Sequence, residues 1–104
     1  MTNVGFFSEM KISMYDSGSI KKFIVEKVDY DKEKVIKYLE SFGRQAVCPR
    51  RAIDCISGKE IASSYAVNDD GEYCWCDFLI YHIKKYNIKL PAGLIEKAGA
   101  AKTV

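Results

Sequence analysis

Four cysteines, Cys48, Cys55, Cys74 and Cys76, and a single histidine, His82, are the side chains of this sequence best suited to nucleophilic or metal chemistry. Any Cys–His or Ser–His–Asp mechanism must use His82. Cys76 stands immediately before Asp77, where a helix is expected to begin, and unpaired amides at a helix start favour the reactive thiolate. The adjacent Asp77 carboxylate opposes that effect. A lone histidine on the flank of an amphipathic helix is more often structural than a general base, and a cysteine beside it more often inert than catalytic. Cys74 and Cys76 share one strand face by alternation, and with His82 they define the enzymatic alternative: a small thiol-dependent or hydrolytic enzyme.

Metal chemistry fits poorly. Structural zinc sites use closely spaced cysteine knuckles, whereas the spacings here are C-x6-C and C-x-C, so no metal and no cofactor is expected. Asp69, Asp70 and Glu72 are acidic enough for a hard cation but lack the run of oxygen ligands of a calcium loop, and a hairpin turn accounts for them better. Arg50 and Arg51, after Pro49, offer a loop grip for a phosphate or carboxylate. Tyr73 and Trp75, with Tyr65, offer an aromatic platform for a single-stranded nucleic acid, against which stands ordinary core packing. No glycine-rich phosphate loop and no G-x-S-x-G elbow is present.

Composition narrows the classes further. The chain has 104 residues, 48% hydrophobic and 29% charged, with 16 basic against 14 acidic side chains and a formal charge of +2. That length supports one domain over 1–104, with 99–104 expected as a frayed tail. The charge is too balanced for a nucleic-acid footprint, since Lys21-Lys22, Arg50-Arg51 and Lys84-Lys85 are only pairs. The N-terminal sequence lacks a secretory pattern and no apolar run is long enough to span a bilayer, so a cytoplasmic protein with reduced thiols is expected.

The elements that must position these groups are legible in outline. Weakly patterned apolar residues from Gly5 to Met14 suggest an extended segment, followed by a short helical stretch capped by Ser19. Asp31 caps a helix in which Val35, Ile36, Leu39 and Phe42 recur at helical spacing, and Gly43 ends it. Its outer face, Lys32, Lys34, Lys37 and Glu40, reads as solvated. Apolar runs at 46–48, 52–56, 61–67 and 73–75 read as strands, separated by turns at Ser57-Gly58 and Asn68-Asp69-Asp70-Gly71. Asp77 opens a second helix through Leu79, Ile83 and Tyr86, and Pro91 opens a last short one. The expected architecture is α+β: an antiparallel sheet of three to four strands with helices packed on one face.

Asp70-Gly71, Tyr73, Trp75, Asp77, Leu79, Tyr81, Lys85-Tyr86, Ile88, Leu90-Pro91 and Leu94-Ile95 together resemble a pattern that recurs in small uncharacterised bacterial proteins. The resemblance implies a shared fold and carries no catalytic role. Small bacterial proteins of this size often serve as immunity partners of toxins, an analogy of size and composition. The expected function is therefore a non-enzymatic protein-binding module, with an immunity or accessory role as its most concrete form. Its binding patch is expected to hold aromatic and acidic residues, Tyr30, Tyr38, Asp69 and Asp70, with Arg50 and Arg51 as further candidates.

Overall fold

The computed structural model describes residues 2–10, 18–42, 46–47, 52–61 and 66–100. Its elements are β1 (Thr2–Asn3), α1 (Lys32–Glu40), β2 (Ala46–Val47), β3 (Ala66–Asp69), β4 (Tyr73–Cys76), α2 (Asp77–Lys85) and α3 (Ala92–Lys97), with short 3-10 turns at Ser8–Met10 and Ile20–Lys22. The class is α+β.

The sheet order is β1-β4-β3-β2. β3 and β4 form a hairpin across 70–72, in antiparallel register with Asn68 opposite Trp75, so Asn68 and Asp69, expected in the turn, belong to the end of β3. The sheet is mixed, however, and not antiparallel throughout. β1 runs parallel to β4, with Thr2 opposite Tyr73 and Asn3 opposite Cys74. The physical reason is connectivity: β1 reaches its neighbour only after the chain has passed through α1 and the β3–β4 hairpin, so no tight turn dictates an antiparallel return. The extended segment expected from Gly5 is a 3-10 turn at Ser8–Met10, and the rest of it, 11–14, lies outside the described residues.

Local chemistry explains the helices. The Asp31 carboxylate accepts hydrogen bonds from the backbone amides of Glu33 (3.1 Å) and Lys34 (3.4 Å), which caps α1. Ser19 caps its 3-10 turn by accepting from Lys21 N, and its own hydroxyl donates to Glu9 at 2.6 Å. α2 opens at Asp77 as expected, but Asp77 is its first residue and not its cap. Cys76 is its N-cap, with no side-chain capping bond, while the Asp77 carboxylate accepts from the Asn68 side-chain amide at 2.7 Å and so ties the helix start to β3.

The core gathers on β4. All four of its side chains are buried, so both faces of the strand are covered. Trp75 meets Phe42, just beyond α1, edge to face at 5.7 Å, and Tyr73 lies against Gly93 of α3. Phe6, Phe7, Phe78, Leu79 and Ile83 extend the cluster.

One close approach is testable. Gly5 and Gly58 have nearly equal positive φ, 75° and 76°, yet a Cβ at Gly5 would fall 2.5 Å from Leu79 Cδ1 and one at Gly58 would meet nothing within 4 Å. Both alanine substitutions incur the left-handed backbone strain, but only Gly5→Ala must also displace a fully buried leucine. Gly5→Ala is expected to lose about 2–3 kcal/mol and Gly58→Ala about 1 kcal/mol in urea unfolding. Equal losses would show that the Gly5–Leu79 approach carries no weight.

Candidate functional site

His82 is fully buried on α2, and both of its ring nitrogens are committed to backbone. Nδ1 lies 2.7 Å from the Phe78 carbonyl and Nε2 accepts from the Cys55 amide at 2.9 Å. That pairing selects the neutral tautomer with the proton on Nδ1. Burial holds its pKa below the usual histidine value, against the opposing pull of the Phe78 carbonyl and the Asp54 charge. Aromatic rings surround it: Phe7 at 5.5 Å, Phe78 at 5.9 Å, Tyr81 at 5.2 Å and Tyr86, stacked, at 6.2 Å.

Cys76 is also fully buried, and it precedes His82 by six positions, roughly 9 Å of rise along the helix axis. The two are therefore not brought together as nucleophile and base. Cys74 is 6% exposed, and burial raises its thiol pKa, with the Asp69 charge adding to the effect. Cys55 meets the imidazole through its backbone amide, which holds Nε2. Its own thiol is pushed up to about 12 by burial and by the Glu9 and Asp54 charges, so it stays protonated. Cys48 lies outside the described residues. Among the described residues, no group of three His, Cys, Asp or Glu side chains gathers to hold a metal.

The residue that composition and periodicity did not single out is Asp54. It is 1% exposed, and its carboxylate accepts from the amides of Ile56 (2.8 Å) and Ser57 (3.0 Å), from Tyr81 Oη (2.8 Å) and from Tyr86 Oη (2.8 Å). Lys85 Nζ sits 3.2 Å away. Burial alone would raise its pKa, but these bonds outweigh it and hold the group well below the usual carboxylate range. The segment expected as a strand at 52–56 is accordingly a turn, with the Asp54 side chain capping the amides that a ladder would have used. A clue was present: an aspartate inside an apolar run, followed by Ser57-Gly58, is an Asx-turn signature.

The aromatic and acidic candidates divide. Tyr30 is 1% exposed and donates to the Ile88 carbonyl, so it belongs to the core and offers no surface; a buried tyrosine needs one partner, and a backbone carbonyl supplies it. Burial pushes its pKa up. Tyr38 is half-buried against Phe42 and donates to Asp70 at 2.7 Å; burial and that bond raise it to about 12. Asp70 also accepts from the amides of Glu72 and Tyr73, and Asp69 from Gly71, so both aspartates serve the β3–β4 turn. Lys97 closes the cluster at 3.5 Å from Asp70 and 3.0 Å from Glu72. Tyr73 and Trp75 are 8% and 0% exposed and present no platform for a base. Arg50, Arg51 and Tyr65 lie outside the described residues.

Lysines show the clearest contrast. Lys32 donates to the Tyr86 carbonyl, Lys85 pairs with Asp54, and Lys97 pairs with Asp70 and Glu72. Lys34 and Lys37 of α1 and Lys84 of α2 are exposed and make no ion pair among the described residues. All three line one open groove of about 510 Å³, with half-buried Ile36 among its walls and Asp31 and Glu33 also lining it. The Asp31 carboxylate is also engaged in its cap, and with Glu33 it sets two anions against the three cations of the groove.

No helix among the described residues is long and apolar enough to cross a membrane. Comparison of the chain with protein-family models, with curated proteins and with solved structures returned no match.

Proposed function

We propose that the protein is a non-enzymatic protein-binding module that receives an acidic segment of its partner in the groove between α1 and the end of α2. A bacterial immunity or accessory role is the most concrete version of this reading, resting on the analogy in size and composition to small bacterial proteins. The observation that carries it is the convergence of Lys34, Lys37 and Lys84, which make no ion pair among the described residues and outnumber the acids Asp31 and Glu33 of the same groove, beside the apolar side chain of Ile36. Unpaired like charges repel unless a partner supplies the opposite sign, and complementary rim charge speeds encounter and selects the partner. The state of the chemical groups agrees: His82 has no free ring nitrogen, and Cys74 and Cys76 are buried. Buried cysteines kept as thiols also suit a reducing compartment such as the cytoplasm.

A short peptide of alternating glutamate and leucine tests the groove against its lysine-and-leucine counterpart, followed by backbone amide shifts in NMR. The acidic peptide is expected to perturb α1 and Lys84 and to weaken as salt rises, and K34E/K37E/K84E is expected to lower its affinity about tenfold or more. Equal binding of both peptides, or shifts scattered away from α1, would remove the groove from the reading.

A further inference from the structure

A second concavity lies on another part of the molecule, where the end of β1, the residue after the Ile20–Lys22 turn, α2 and the connector from α2 to α3 meet. It has a volume of about 110 Å³, and Val4, Phe7, Phe23, Leu79, Ile88 and Leu90 supply its apolar walls. The walls are fixed in place. Phe7, Leu79 and Ile88 are at most 1% exposed, the Ile88 carbonyl is held by Tyr30, and the amide of Lys89 donates to Phe23 O at 2.7 Å. Gly5 contributes backbone alone at this place, because a Cβ there would strike Leu79.

Size and charge together specify an occupant. An apolar cavity of about 150 Å³ lined by Leu, Ile and Phe accepts benzene, and this smaller one, of about 110 Å³, has room for a short alkyl tail. Lys89 is the only charged residue among those lining it, is exposed, and makes no ion pair among the described residues. Asn3 adds a polar group. We infer that this pocket binds a small apolar monocarboxylate, its tail between Phe7, Leu79 and Ile88 and its carboxylate at Lys89. The site is separate from the lysine groove between α1 and α2 and does not depend on it.

The experiment titrates the full chain with propionate, butanoate, pentanoate and hexanoate, and with hexylammonium and hexanol, reading amide and methyl shifts by NMR. Shifts are expected at Val4, Leu79 and Ile88, and affinity should rise about fourfold per added methylene until the cavity is full. Hexanoate should bind more tightly than hexanol and hexylammonium, and Lys89→Glu should weaken hexanoate about twofold to fivefold while leaving hexanol unchanged. Lys89 is exposed, so that variant keeps the fold. Affinity independent of chain length, shifts outside the pocket, or hexanol matching hexanoate would overturn the proposal. So would binding by a peptide with a C-terminal leucine where none of the free acids binds.

Discussion

Asp54→Ala is expected to lower the unfolding free energy by about 3–5 kcal/mol, the penalty typical of stranding partners of a buried charge. The carboxylate is 1% exposed and satisfies two backbone amides, Ile56 and Ser57, and two phenols, Tyr81 and Tyr86, with Lys85 at its edge. Alanine would leave four donors facing a vacated site with no acceptor. A domain of this size has a total stability of only about 5–15 kcal/mol, so the variant would sit close to unfolding. Asp54→Asn keeps the shape and one acceptor oxygen and should lose less, about 1–3 kcal/mol. Tyr81→Phe and Tyr86→Phe should each lose about 1 kcal/mol, because each removes one donor and leaves the acceptor otherwise satisfied. In a double-mutant cycle, Tyr86→Phe should become nearly silent once Asp54 is alanine, since the bond is then already absent. Urea midpoints give all of these values. An Asp54→Ala loss below about 1 kcal/mol would mean the turn at 54–58 is held by something other than this carboxylate.

The same residue shows where sequence reasoning stops. Ala52-Ile53-Asp54-Cys55-Ile56 reads as a strand because four of its five side chains are apolar, yet the aspartate competes for the backbone amides and folds the segment into a turn. Among the described residues, an isolated bridge, Ile53 to Glu60, is what remains of the expected ladder. α1 was legible because several independent signals coincide there: the cap at Asp31, the acid at Glu33 and apolar residues at helical spacing. β1 was not, since two residues carry no period and their parallel partner is about seventy positions away, as the register of Thr2 with Tyr73 shows. Tyr30 illustrates a different limit. A tyrosine is equally at home on a surface or in a core with its hydroxyl satisfied, and only the placement of the Ile88 carbonyl decides.

The candidate groove divides in the same way. Lys34 and Lys37 were visible as one helix face, and a solvated face was the simplest account of them. What gives them significance is the arrival of Lys84 from α2 at the same groove, a long-range event. Nor does any local pattern distinguish Lys84, which has no ion pair among the described residues, from its neighbour Lys85, which turns to Asp54.

Acidification supplies the second large effect, and it acts through His82. The fold prefers neutral imidazole, because Nε2 accepts from the Cys55 amide and a proton placed there would set donor against donor. The resulting charge would also be enclosed by Phe7, Phe78, Tyr81 and Tyr86, with Asp54 the nearby opposing charge and Lys85 the like one. The folded pKa therefore lies below the unfolded value near 6.5, and the sign follows: stability is complete above that value and falls as pH drops toward the folded pKa. The slope is at most about 1.4 kcal/mol per pH unit for this single proton. Asp54 acts in a different window. Its folded pKa is depressed, so its contribution is present above the ordinary carboxylate value of about 3.9 and is lost only below it. Urea midpoints measured between pH 7.5 and 5.5 should therefore decline mainly through the histidine, since Glu9 and Asp70, whose pKa values are also lowered, contribute only toward more acid pH. His82→Ala should lose about 3–5 kcal/mol at neutral pH, from the cavity and the unpaired Cys55 amide, and should flatten the decline. If that variant proves too unstable to measure, the His82 Cε1 proton in the native protein supplies the same answer by remaining at its neutral chemical shift well below pH 6.5. A His82→Ala protein with the wild-type slope, or a native imidazole that titrates at 6.5 or above, would show that α2 and the 52–61 turn are not joined through a neutral ring.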